Sequence, residues 1–144
     1  MFKKFRKNEK GFTLAELLIV VAIIGVLVAI SIPIFTAQLE KSREAVDLSN
    51  IRAAYAECSA DVLTNSKAKG FYETVDVKQQ EDGWVSAPDK IAGTLDVTSN
   101  DVGSKLGKTN KQVTVNVSST GVLSLTAGST PETGFTKVGE KPTE

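Results

Sequence analysis

GFTLAELLIVVAIIGVLVAISIP, residues 11–33, holds one charged side chain, Glu16, in an apolar run of 21 residues from Phe12 to Ile32. Twenty-one helical residues span about 30 Å, the thickness of a bilayer's hydrocarbon core. Ahead of the run lie Lys3, Lys4, Arg6, Lys7 and Lys10 against the single acid Glu9. A basic cluster before an apolar span places the N-terminus on the cytoplasmic side and residue 33 onward outside.

Three readings of such a segment compete. A secretory signal peptide is cut after the apolar run, and Ala29-Ile30-Ser31 offers small residues for that, but the run is long and Pro33 is badly placed for the cut. An uncleaved signal anchor explains length and orientation and leaves Glu16 without a purpose. A carboxylate costs about 2.5–3.5 kcal/mol at mid-bilayer, less near the end of the span, and wants a partner. The third reading is a cut ahead of the span, which supplies one by freeing an α-amino group with an ordinary pKa of about 7.7–8.0. Glu16 also lies in the first turns of the helix, where the macrodipole favours negative charge.

Gly11-Phe12-Thr13-Leu14-Ala15-Glu16, behind a basic leader and before a long apolar run, resembles the processing site of type IV prepilins. The resemblance continues through Pro33 to Gln38-Leu39-Glu40-Lys41-Ser42-Arg43-Glu44-Ala45. It implies that a dedicated peptidase cuts after Gly11, that Phe12 becomes the N-methylated first residue, and that Glu16 serves assembly as the fifth. The implied partners are further copies of this chain and other pilins, the prepilin peptidase/N-methyltransferase, the pilus assembly machinery, and the membrane before assembly. The implied product is a surface filament serving motility, adhesion or DNA uptake. A minor pilin or pseudopilin of a secretion or competence machine is built alike, and a non-polymerising membrane-anchored binding module would keep residues 1–11.

Helical periodicity continues beyond the span. Leu48, Ile51, Tyr55, Cys58 and Val62 recur at spacings of three and four, one apolar stripe. Glu40 with Arg43, and Arg43 with Asp47, read as exposed pairs at helical spacing. The pattern predicts a helix from Phe12 to about Lys67, on the order of 80 Å long, stopping at Gly70. Gly25 and Pro33 are its weak points: one lowers helix propensity, and the other removes a donor and crowds the carbonyl four residues earlier. Ser31 is a candidate to satisfy the freed group. In the family that Gly11–Glu16 resembles, the stretch between these two positions can lose helicity in the filament.

After Gly70 the period becomes two. Val75 and Val77 alternate with charged residues, and Val113, Val115 and Val117 alternate with Thr114 and Asn116 as a half-buried strand. Ser118-Ser119-Thr120-Gly121 makes a turn, Val122–Ala127 is the hairpin partner, and Thr94–Thr98 is a weaker strand. The fold class is therefore α+β: a long N-terminal helix, membrane-spanning then amphipathic, packed on a small antiparallel sheet, as in type IV pilins. The expected divisions are a leader at 1–11, a filament-core helix at 12–33, a head at 34–127 and a loosely ordered tail at 128–144.

Composition narrows the chemistry. The chain has 144 residues, no net charge, no histidine and one cysteine, Cys58. Catalytic, cofactor-binding and metal sites are all expected to be none, and no nucleic-acid site is identified, because no basic stripe follows the leader. No intramolecular disulfide is possible, which resembles the disulfide-free pilins of Gram-positive bacteria. Cys58 reads as an inert core thiol, Trp84 as a core anchor beside Val85, and Asn116-Val117-Ser118 as a chance glycosylation sequon. Asp76, Glu81, Asp82, Asp96 and Asp101 read as solvating charges. The expectation is a structural protein and not an enzyme.

Overall fold

A computed structural model describes residues 11–65, 67–86 and 105–142. Five elements follow in order: α1 (Leu14–Thr64), β1 (Gly70–Asp76), β2 (Gln112–Ser118), β3 (Leu123–Ala127) and β4 (Thr136–Lys137). The chain divides into two compact units, Met1–Thr36 and Ala37–Glu144. The expected strand at Thr94–Thr98, and the carboxylates Asp96 and Asp101, lie outside the described residues.

In the first unit every described side chain is exposed, including sixteen large apolar ones between Phe12 and Phe35. Each is worth about 1.5–3 kcal/mol when taken out of water, so this surface requires lipid or protein around it. α1 is long and apolar enough near its N-terminus to cross a membrane. It runs through Gly25 and Pro33 without interruption. Ser31 Oγ donates to Leu27 O at 2.7 Å, its own fourth preceding carbonyl. It therefore does not serve Ala29, whose carbonyl Pro33 leaves without the usual helical donor.

In the second unit α1 carries the expected stripe. Ile51 and Cys58 are fully buried and Ala54 nearly so, while Leu48, Tyr55 and Val62 pack against the same cluster. Phe71, Val113, Val115, Val117, Leu123 and Leu125 from the strands complete it. The helix ends at Thr64, short of Lys67. Asn65 N donates to Asp61 O at 2.9 Å and the Thr64 hydroxyl donates to the same carbonyl at 3.1 Å, closing the last turn.

The sheet order is β3-β2-β1-β4. β1 pairs antiparallel with β2 over its full length, and β2 with β3. The sheet is mixed and not antiparallel throughout, because β4 pairs parallel with Phe71 and Tyr72 of β1. Residues 128–142 are consequently no loose tail. Gly128 and Gly134 adopt positive φ of 87°, a conformation glycine reaches without penalty, and turn the segment back over the sheet. Thr114 Oγ1 donates to Gly128 O at 2.8 Å, Glu132 N donates to Asn116 Oδ1 at 3.2 Å, and Val138 N donates to Tyr72 O at 3.0 Å. Gly139 N reaches Asp61 Oδ2 on α1 at 2.9 Å.

This return changes the reading of β2. Thr114 and Asn116 are as buried as Val113, Val115 and Val117 beside them, so β2 is covered on both faces. Asn116 Nδ2 donates to Thr126 Oγ1 at 2.8 Å, which leaves the sequon's amide committed inside the head.

Candidate functional site

The site begins at the first residues of α1. Thr13 is the N-cap and Glu16 the third helical residue. Glu16 N donates to Thr13 Oγ1 at 3.2 Å, while Thr13 N donates back to Glu16 Oε2 at 2.8 Å. The Thr13 hydroxyl donates to the same carboxylate oxygen at 2.8 Å. This is a capping box, in which two end-of-helix donors are satisfied reciprocally. It was readable in the sequence as Thr-x-x-Glu before an apolar run. Glu16 Oε1 makes no hydrogen bond among the described residues, and both Glu16 and Phe12 are exposed, Phe12 to 87 %.

Gly11 sits immediately before the cap in open surroundings: a Cβ added there meets nothing within 4 Å, and the same holds at Gly25. The fold of the subunit therefore demands glycine at neither position. Pro33 lies inside α1, with Thr36 Oγ1 donating to its carbonyl at 3.0 Å. Gly11, Phe12 and Glu16 are brought together at one helix end. Gly25 and Pro33 lie farther along the same element.

A second polar constellation was not anticipated. Glu40, Glu44 and Asp47 are buried on one face of α1, and none of them solvates a surface. Asp47 accepts Lys78 N at 2.8 and 2.9 Å and Gln79 N at 2.9 Å. Glu40 Oε1 accepts Gln80 N at 2.6 Å and Glu81 N at 2.9 Å. Glu44 accepts Val85 N at 2.5 Å, Ser86 N at 2.8 Å and the Ser86 hydroxyl. Residues 78–86 follow β1 outside the strands, and these carboxylates accept the N–H groups of residues 78–81, 85 and 86, while Val77 N and Gly83 N donate to Lys111 O and Leu106 O.

The expected Arg43–Asp47 pair therefore gives way to these bonds. The Glu40–Arg43 pair forms, at 3.0 Å, but with a buried glutamate. Burial pushes Glu40 up, yet the N–H groups of Glu81 and Gln80 and the Arg43 guanidinium outweigh it and hold the carboxyl below its ordinary value. At Asp47 burial wins over the Lys78 and Gln79 donors, and its carboxyl is raised.

The remaining candidates are structural in their surroundings. Burial first, and then the charges of Glu73, Glu57 and Asp61, push the Cys58 thiol up to about 12. Trp84 packs partly buried against the core, whereas Val85 beside it is exposed. Asp82 accepts Thr109 Oγ1 at 2.6 Å and Thr109 N at 2.7 Å, which lowers its carboxyl, and Asp76 accepts Gln112 Nε2 at 3.0 Å. Among the described residues no group of His, Cys, Asp and Glu has metal-binding geometry.

Comparison with known proteins returns the same helix end. The family described as "Prokaryotic N-terminal methylation motif" matches residues 6–32. The chain is similar to the type IV major pilin protein PilA of Myxococcus xanthus (strain DK1622), 46% identical over 52 residues, or 36% of this chain and 24% of that protein. It is similar to the type IV major fimbrial protein FimA of Dichelobacter nodosus, 46% identical over 56 residues, or 37% of this chain and 36% of that one. Likeness to a fimbrial protein of Pseudomonas aeruginosa extends into the head: 30% identity over 124 residues, 78% of this chain and 80% of that protein. No solved structure matches. With the methylation motif on the capped helix end, and a relative matched over most of both chains, this protein belongs to the type IV pilin family.

Proposed function

We propose that this chain is a structural subunit that polymerises into type IV pili after removal of residues 1–11 and N-methylation of Phe12. The carrying observation is Glu16: the only charge in an apolar, fully exposed helical segment, with one oxygen capping its own helix and the other open. A subunit leaving lipid for a bundle of like helices gains little from apolar contact alone, because lipid tails are as apolar as leucine. A charge pair formed at one axial position adds attraction and register. The open Oε1 is free to receive the α-ammonium of Phe12 from an adjacent subunit without breaking the capping box.

The precursor sits in the cytoplasmic membrane with its basic end inside and its head outside. Gly11 is read by the prepilin peptidase, which explains a glycine that the subunit's own fold does not require. The Myxococcus and Dichelobacter relatives are named as major subunits, which supports an abundant filament subunit over a minor component.

The test is Glu16→Ala in cells lacking other pilins. Expression, head folding and cleavage after Gly11 should persist, and surface filaments should be lost or fall sharply. Thr13→Ala separates the two roles of the carboxylate: it weakens the cap by about 0.5–2 kcal/mol while keeping the charge, and should affect filaments less. Normal filaments from Glu16→Ala would remove the charge pair from the mechanism.

A further inference from the structure

Tertiary support for α1 starts abruptly at Glu40. Every side chain from Phe12 to Leu39 is exposed, and this stretch contains Gly25 and the missing bond at Pro33. From Ile51 onward the helix is held by the apolar core through Ile51, Ala54 and Cys58. Between them, at residues 40–50, the buried side chains are Glu40, Glu44 and Asp47 alone, with Leu48 partly buried against the core. Each of the three is bonded to residues 78–86, which make no sheet pairing of their own. Six successive or near-successive backbone N–H groups, those of residues 78–81, 85 and 86, end on these carboxylates.

We propose that this loop–helix clasp is a stop for helix loss, holding residues 40–50 of α1 helical as a cooperative unit with residues 78–86 that opens while the sheet strands stay paired. The loop is tied to the rest of the head by Gly83 N donating to Leu106 O and Lys111 Nζ donating to Gln79 O. Stability in a folded chain is uneven, and contiguous stretches open as units. Helix loss that starts at the proline meets no tertiary contact until Glu40. There it must break charge-assisted bonds to the loop as well as its own ladder. Load or solvent that unwinds the helix from below thus lengthens the subunit without opening the head. Without the clasp the next anchors are Leu48, partly buried against the core, and then Ile51, roughly two to three helical turns farther on. Trp84, the chain's one tryptophan, lies between the loop residues bound by Glu40 and those bound by Glu44 and reports the loop's state.

The test is residue-resolved amide hydrogen exchange on the full chain in detergent micelles. Glu40→Gln/Glu44→Gln/Asp47→Asn keeps side-chain volume, removes the charge from every bond and replaces one of the two acceptor oxygens of each side chain with an amide donor. Exchange at residues 40–50 and 78–86 should accelerate about tenfold or more. Residues 51–64 and 113–117 should stay within about twofold, and Trp84 emission should shift to the red. Glu44→Gln alone should give the same pattern in weaker form, should the triple variant fail to fold. Ile51→Val, a core change, should instead accelerate exchange in helix and sheet together. Unchanged protection at residues 40–50 overturns the proposal. So does equal acceleration across α1 and β2, because the clasp would then be one more part of the global core.

Discussion

Gly70→Ala tests how closely β2 and the C-terminal return pack on the start of β1. A Cβ on Gly70 would meet Val117 O at 2.5 Å, Phe135 Cδ1 at 2.8 Å, and Phe135 Cε1 closer still. The ring can pivot. Val117 O cannot, because Val117 is fixed between Phe71 of β1 and Leu123 of β3 by the sheet register. Overpacking of this kind costs about 1–3 kcal/mol. Replacing glycine by alanine returns about 0.4–1 kcal/mol by restricting the unfolded chain. The net loss is about 1–2 kcal/mol, or roughly 5–15 °C in Tm for a unit of this size. Thermal melts of the chain in detergent, followed by near-ultraviolet circular dichroism, read it directly. Most of the loss should persist in a Phe135→Ala background, since the carbonyl remains. An unchanged or raised Tm for Gly70→Ala would refute the close approach of Val117 O to the start of β1, and a loss not eased at all by Phe135→Ala would refute the packing of the Phe135 ring there.

Two further outcomes concern titratable groups in the head. Cys58, with its thiol pushed up to about 12, should resist alkylation by iodoacetamide at pH 8 in the folded chain and react once the chain is unfolded in urea. Glu40 has a lowered carboxyl, so it contributes stability above the ordinary glutamate value of about 4.3 that is lost as pH falls through its folded value. The urea-midpoint difference between wild type and Glu40→Gln should therefore be largest near neutrality and shrink below about pH 4. Asp47 runs the other way. Its raised carboxyl binds a proton more readily in the folded chain, so mild acid favours the fold through this residue.

Much of the architecture could be read from side-chain period. The 21-residue apolar run and the Leu48–Val62 stripe belong to one helix, and the valines at 113, 115 and 117 to one strand. What escaped is instructive because it was also periodic. Positions 40, 44, 47, 51, 54 and 58 follow one another at four, three, four, three and four residues, a single buried line along α1. Its first three members are acids, and charge suggested a solvated face where phase placed them inward. Burial was tolerable because a loop with unpaired N–H groups covers them, a partner more than thirty residues away that no local pattern reveals.

The C-terminal return was hidden differently. Gly128, Pro131, Gly134 and Gly139 read as signs of looseness, whereas two of these glycines are the turns that bring Phe135 and β4 back to β1. Thr114 and Asn116 looked like the wet side of a half-buried strand for the same reason, since the segment that covers them comes later in the chain. At the N-terminus the opposite held. The Thr13–Glu16 capping box is local and spans four residues, so its Thr-x-x-Glu spacing was there to be read, although Glu16 was singled out for its charge and not as part of a cap.

The central claim is that this chain works as a processed, polymerised subunit, and the most direct test is mass spectrometry of filaments sheared from the cell surface. The predicted result is an abundant chain that begins at Phe12, carries one methyl group on its α-nitrogen and lacks residues 1–11. Filaments built from the chain with residues 1–11 intact, or a processed chain absent from the filaments, would contradict it.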